Sequence, residues 1–214
     1  MIAPPIPLVT LDYLGVAVFA ITGALAAARH RHDVVTFTAF AILTGIGGGT
    51  LRDLLIGVPV FWVHASGYIY ACLAAAGAVW LVGTRPWRSS ALIWFDAVGL
   101  AAYAVLGAAK ALGAGVPPPV AVVMGTLTAT FGGILRDLFA GQPSVLLRRE
   151  IYITAAVLAA MVFVAASTLG LDPILSGVAA FAAGFGLRAG AIALGWTLPG
   201  FTAHESHDDS MKVS

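Results

Sequence analysis

Charge is scarce in this 214-residue chain: 10% of its residues are Asp, Glu, Lys or Arg, while 60% are hydrophobic. A soluble domain carries about 25% charged residues. With a mean hydropathy of +0.96, this chain cannot cover itself with a polar surface, and a lipid bilayer is its expected solvent. The net charge of +1 gives no electrostatic basis for holding nucleic acid. Cysteine is almost absent. Cys72 stands alone, which excludes an internal disulfide, and its place in an apolar run marks it as packing. The opening MIAPPIPLVT has no Lys or Arg before the first apolar run, so a cleaved signal peptide, which needs a basic n-region, is not expected. There is no G-x-S-x-G, P-loop, H-E-x-x-H or thiol cluster, so nothing points to an enzyme or to a bound cofactor.

Long hydrophobic runs are abundant. A spanning helix needs about 20 mostly apolar residues. Seven runs qualify, at 8–28, 34–58, 67–84, 91–112, 118–140, 150–170 and 173–195. They are separated by RHRHD, VPVFWVHASG, TRPWRSS, AGVPPP, GQPSVLLRRE and Leu171-Asp172-Pro173, and the tail HESHDDSMKVS is polar. If the helices alternate, Arg29, Arg31, Arg85, Arg88, Arg148, Arg149 and Lys212 all fall on one side, and the opposite loops carry no Lys or Arg. Basic loops stay cytoplasmic. The expectation is an N-terminus outside and a C-terminus inside a cell (inner) membrane, with Trp62, Trp87, Trp94 and Trp196 near the interfaces.

The sequence also repeats itself. GGGTLRD at 47–53 returns as GGILRD at 132–137, and 136 − 52 = 84. The same offset carries Asp12, Gly15 and Gly23 onto Asp96, Gly99 and Gly107, Gly57 and Pro59 onto Gly141 and Pro143, and Tyr68 onto Tyr152. No gap is needed. Each copy holds three spans, and an odd number forces the second copy to start from the other side of the membrane. The expected fold is therefore an all-α membrane protein with an inverted three-plus-three repeat and a seventh helix. The expected units are 1–87, 88–171, 172–196 and a polar cytoplasmic tail at 197–214.

Gly47 lies about 13 residues into its span, or about 20 Å, deep in the hydrocarbon. A helix broken there frees carbonyls that suit a cation and amides whose positive end Asp53 would complement. Such backbone is tolerated only in protein or facing water. The other reading of the glycines is close helix packing. Recurrence at inverted positions, with charges attached, favours a path lined by Gly47, Gly48, Gly49, Thr50, Thr128, Gly132 and Gly133. Arg52, Asp53, Arg136 and Asp137 would frame its mouths. Neighbours on a helix point to different faces, so each charge should find its partner elsewhere; alternatively the arginines snorkel to headgroups. Lys110, whose repeat counterpart is Ala26, breaks the symmetry. It is either a snorkelling lysine or a mobile charge at the outer mouth that regulates cation passage. Asp12 and Asp96 read as caps, Arg188 as a headgroup contact, His64 as solvated, and His30 and His32 lack the companions of a metal site.

Two glycine-rich stretches, each followed by Arg-Asp, in an inverted three-plus-three repeat with a seventh helix resemble the prokaryotic TRIC-type (trimeric intracellular cation) channels over about residues 8–195. The resemblance implies a homotrimer in lipid. Each protomer would hold one path for K⁺ and other monovalent cations, lined by glycine-kinked helices two and five, with a gating lysine for which Lys110 is the candidate. Ile134, after the second glycine pair, stands where the family has a third glycine. The same bacterial domain also carries a glycine transporter label. A secondary transporter of a small zwitterion therefore remains the alternative: one half-helix end would hold the carboxylate and the other the ammonium. Small residues on spans one and four (Gly15, Ala17, Gly23; Gly99, Ala101, Gly107) offer a surface for oligomer contact.

Overall fold

The computed structural model describes residues 6–83, 90–144 and 150–199, with side chains from residue 9 onward. Arg85, Trp87, Arg88, Arg148, Arg149 and Lys212 lie outside the described residues, so the basic-loop pattern rests there on sequence alone. Among the described residues there are seven helices: α1 (Ile6–Arg29), α2 (Val34–Leu55), α3 (Gly67–Val82), α4 (Ala91–Gly113), α5 (Pro118–Phe139), α6 (Ile153–Thr168) and α7 (Pro173–Leu194). All but α3 and α6 are long and apolar enough to cross a membrane. Those two have 16 residues each, shorter than the expected 67–84 and 150–170. The equal shortening in two equivalent helices is itself a mark of the repeat.

The helix ends follow local chemistry. Asp33 caps α2 by accepting from the Thr36 amide at 2.9 Å, and that bond holds its carboxyl below the ordinary value. Asp172 caps α7 by accepting from Ile174 and Leu175. At the far ends of α2 and α5 the chain turns through left-handed Gly57 (φ 71°) and Gly141 (φ 62°). The Asp53 carbonyl there accepts from Val58, and the Asp137 carbonyl accepts from Gln142. This is one stop signal used twice.

The inverted repeat is visible in the packing. A Cβ on Gly48 would run into the carbonyl of Thr128, and one on Gly132 into the carbonyl of Thr44. Since 44 + 84 = 128 and 48 + 84 = 132, this is the reciprocal contact of a two-fold axis, with i touching j′ and j touching i′. Gly15 against Tyr103 and Gly99 against Phe19 repeat the pattern, since 19 + 84 = 103. A Cβ on Gly23 or on Gly107 would come within 2.6 Å of a threonine hydroxyl, that of Thr44 and that of Thr128.

Three expectations are corrected here. First, α2 and α5 run as continuous α-helices through their glycines. No half-helix ends are released, because the glycines serve to bring two backbones together at a crossing. Second, the offset places Phe131, not Ile134, at the position lacking its glycine: Gly47 pairs with Phe131, and Ile134 is the counterpart of Thr50. Third, Gly15, Gly23, Gly99 and Gly107 are occupied inside the protomer, so they do not form a surface for other subunits.

Candidate functional site

The crossing of α2 and α5 separates two charged clusters, one at each end of the bundle. At the first, Arg52 and Asp53 are 2% and 0% exposed. Contrary to the expectation that sequence neighbours find partners elsewhere, they bind each other: Arg52 Nε and Nη2 both donate to Asp53 Oδ1 at 2.8 Å. The long arginine stem curls back around the helix and overcomes the divergence of adjacent positions. Asp53 Oδ2 remains for two other donors, the Lys110 ammonium at 2.9 Å and the Phe61 amide at 3.0 Å. The Phe61 ring lies under both cations, 6.0 Å from Arg52 and 5.4 Å from Lys110. Lys110 is the more exposed member: its side chain is 38% exposed, while its carboxylate partner is fully buried.

The second cluster repeats the first with one change. Arg136 Nε and Nη2 hold Asp137 Oδ1 at 3.0 and 2.9 Å. Its Nη1 reaches Asp96 Oδ1 at 2.5 Å and Thr22 Oγ1 at 3.2 Å. Asp96 is 3% exposed and belongs to this cluster, so it is no interfacial cap. Asp12 likewise accepts from the Tyr68 hydroxyl at 2.8 Å. Arg188 does not reach headgroups. It is 5% exposed, pairs with Glu150 at 2.8 Å and lies 5.1 Å from the Tyr152 ring. The Arg52 and Arg136 snorkelling alternative fails on the same ground of burial.

Ala26 occupies the place corresponding to Lys110, and a cavity of about 360 Å³ opens there. Its wall includes Ala26, Arg29, Asp96, Arg136, Glu150 and Arg188. The asymmetry read from sequence thus has a physical form. One end is filled by a lysine head on a carboxylate, and the other, lacking that lysine, is hollow.

Of the remaining expected residues, Gly47, Gly48, Thr128 and Gly132 meet at the crossing, whereas Gly49, Thr50 and Gly133 face other parts of the chain. Gly48 and Gly132 are buried in backbone contact. Gly47 faces Leu135, Gly49 faces the Phe61 ring, and Gly133 faces the Tyr152 hydroxyl. Thr50 donates to the Ile46 carbonyl at 2.7 Å and accepts from Trp62 at 2.9 Å. Thr128 donates to Met124 at 2.6 Å. Asp96, Tyr152 and Arg188 were missed as members of one cluster, although the 84-residue offset links Asp96 and Tyr152 to Asp12 and Tyr68.

A profile described as glycine transporter matches twice, at residues 9–84 and 93–168. The two matches are offset by 93 − 9 = 84 residues, the spacing of the repeat. The chain belongs to this TRIC/UPF0126 family. It is 35% identical over 200 residues to a UPF0126 membrane protein of Vibrio cholerae, covering 89% of this chain and 81% of that protein. It is 37% identical over 155 residues to the inner membrane protein YadS of Escherichia coli, covering 71% and 75%. In structure it is similar to the TRIC trimeric intracellular cation channel orthologue of Rhodobacter sphaeroides: TM-score 0.85, 45% identity, 90% of this chain and 100% of that one. A second TRIC cation channel aligns with TM-score 0.81 at 29% identity, over 90% and 96%. The seven-helix TRIC fold is thereby established, and this family member is a membrane protein.

Proposed function

We propose that this TRIC-family chain is a monovalent cation channel that passes K⁺, with one path in each protomer of a homotrimer. One observation carries the reading: a half-exposed ammonium on a fully buried carboxylate, Lys110 on Asp53, at one end of the bundle. A lysine head is a tethered monovalent cation. Where it can sit, a K⁺ ion of the same charge can replace it once the side chain swings away. No cluster of three or more acidic, His or Cys groups that would hold a divalent ion is found among the described residues. The relatives described as cation channels support the same reading. The glycines enter it as the waist where α2 and α5 meet, beside which the path runs past Thr50 and Thr128.

The test is K⁺ flux into liposomes holding the purified protein, with no organic solute present. Replacing Lys110 by Ala leaves Asp53 bonded to Arg52 and Phe61, so the fold survives. Flux rises about tenfold as the positive charge leaves the mouth. Unchanged flux in K110A removes Lys110 from gating.

The units 1–87, 88–171 and 172–196 are proposed as repeat, inverted repeat and appended helix. From the basic-loop pattern of the sequence we infer that the Lys110 end lies outside and the Arg136 end, with the C-terminus, in the cytoplasm. A C-terminal phosphatase fusion, active only outside the cytoplasm, is then silent, and an active one reverses the assignment.

A second reading, uptake of a small zwitterion such as glycine, is favoured by the cavity, whose guanidinium and carboxylate groups offer both poles such a solute needs. Saturable glycine uptake without K⁺ flux in the same liposomes selects it.

A further inference from the structure

Asp53 shows what its position in the repeat can hold. Its Oδ1 accepts from Arg52 Nε and Nη2, and its Oδ2 accepts from the Phe61 amide at 3.0 Å and the Lys110 ammonium at 2.9 Å. An ionised carboxylate has about four acceptor sites, so all of these donors are accommodated at once. Asp137 is the counterpart, since 53 + 84 = 137, and its Oδ1 holds the Arg136 fork in the same way. The lysine is what differs. Its counterpart, at 110 − 84 = 26, is Ala26, whose side chain stops at Cβ. The room that a lysine stem and head take at one end is cavity at the other, and Ala26 and Asp137 both stand in the cavity wall.

We infer that the cavity is a binding site for one small monovalent cation, K⁺ or ammonium, which sits against Asp137 as the Lys110 head sits against Asp53. The first repeat is the direct support: there the equivalent carboxylate takes a single positive charge on top of its arginine and its backbone amide. The valence follows from Arg136. Its guanidinium is wedged between Asp96 and Asp137 and keeps the two carboxylates from closing together on a divalent ion. The other two arginines of the wall do not compete for the place. Arg188 is bound to Glu150 at 2.8 Å and to the Ile151 carbonyl at 3.3 Å. Arg29 lies exposed at the end of α1, where water and salt screen it. With a volume of about 360 Å³, the cavity lets the ion keep part of its water shell, so it can leave as readily as it enters. One end thus holds its cation by a covalent tether, and the other exchanges it with the solution.

The site stands apart from the channel reading, while its place on the ion path rests on that reading, and the experiment separates the two. The purified protein is melted in detergent at constant ionic strength, with choline chloride exchanged for KCl or for NH₄Cl. The methyl groups of choline keep its charge away from a carboxylate. A ligand that binds only the folded state raises the melting temperature by mass action, and a rise of about 5 °C is expected between about 1 and about 300 mM of the small cation. Ala26→Lys supplies the tethered ammonium. It should melt at the high-K⁺ temperature of the wild type whatever the salt, and its K⁺ flux in liposomes should fall about tenfold as a fixed positive charge enters the cavity. Asp137→Asn should lose the rise as well; where that variant does not fold, Ala26→Lys decides alone. A rise in either salt that Ala26→Lys removes upholds the site and names the ion. No rise in the wild type, or a rise that survives Ala26→Lys or Asp137→Asn, overturns it. An Ala26→Lys protein that does not fold overturns it too, since the cavity then cannot take the side chain that the repeat places there. A rise lost in Ala26→Lys with flux unchanged upholds the site and takes it off the ion path. A rise lost in the same way in a protein that carries no K⁺ at all upholds the site and brings down the channel reading instead.

Discussion

Gly48→Leu should abolish the folded protein along with its flux. A Cβ at Gly48 already collides with the backbone carbonyl of Thr128, and backbone in a helix has no rotamer by which to yield. Overpacking a well-packed site by a few methylenes costs about 1–3 kcal/mol. Here the whole isobutyl group meets the α2–α5 crossing, so a loss of roughly 3 kcal/mol or more is expected. The gain from replacing a helical glycine, about 1 kcal/mol, does not offset it. The reciprocal variant Gly132→Leu meets the Thr44 carbonyl and should behave alike. The measurement is the yield of folded protein in mild detergent together with liposome flux. Joint loss is the expected result. A wild-type yield of folded protein with silent flux would mean that these glycines border open space rather than a helix contact.

Arg136→Met should be nearly as damaging, for an electrostatic reason. Arg136 is 4% exposed and pairs with both Asp96 and Asp137. Removing one partner of a buried pair strands the opposite charge and costs about 3–5 kcal/mol. A melting temperature lowered by several degrees in detergent is expected, with partial recovery in the double variant that also carries Asp96→Asn, since that stranded charge is then gone. A melt unchanged by Arg136→Met alone would show that water reaches the cluster freely. The corresponding change at Arg52 should be milder, because Lys110 remains on Asp53.

Much of the architecture was legible because it was written twice. One subtraction, 136 − 52, predicted an internal symmetry that reappears as reciprocal contacts of Gly48 with Thr128 and Gly132 with Thr44. Hydropathy placed the seven helices, with ends set by Asp33, Pro118, Pro173, Gly57 and Gly141. The role of the glycines was not legible. A run of three in an apolar segment is compatible with a broken helix or with a close crossing, and only the backbone of the partner helix decides. The Arg-Asp pairing was missed because helical geometry separates adjacent Cβ atoms, while the reach of an arginine stem is a tertiary matter. Arg188 was misplaced because its position near a span end fits headgroups equally well; its burial against Glu150 and Tyr152 depends on α6 packing beside α7. Lys110 was legible by contrast, as a charge without a repeat counterpart, and the hollow beside Ala26 is the physical form of that asymmetry.

The central claim is that each protomer conducts monovalent cations, and the reversal potential in a planar bilayer tests it most directly. With the purified protein between unequal KCl solutions and no other solute, the account predicts discrete currents that reverse close to the K⁺ equilibrium potential. Currents that reverse near the Cl⁻ potential, or a silent bilayer combined with saturable glycine uptake in liposomes, would contradict it.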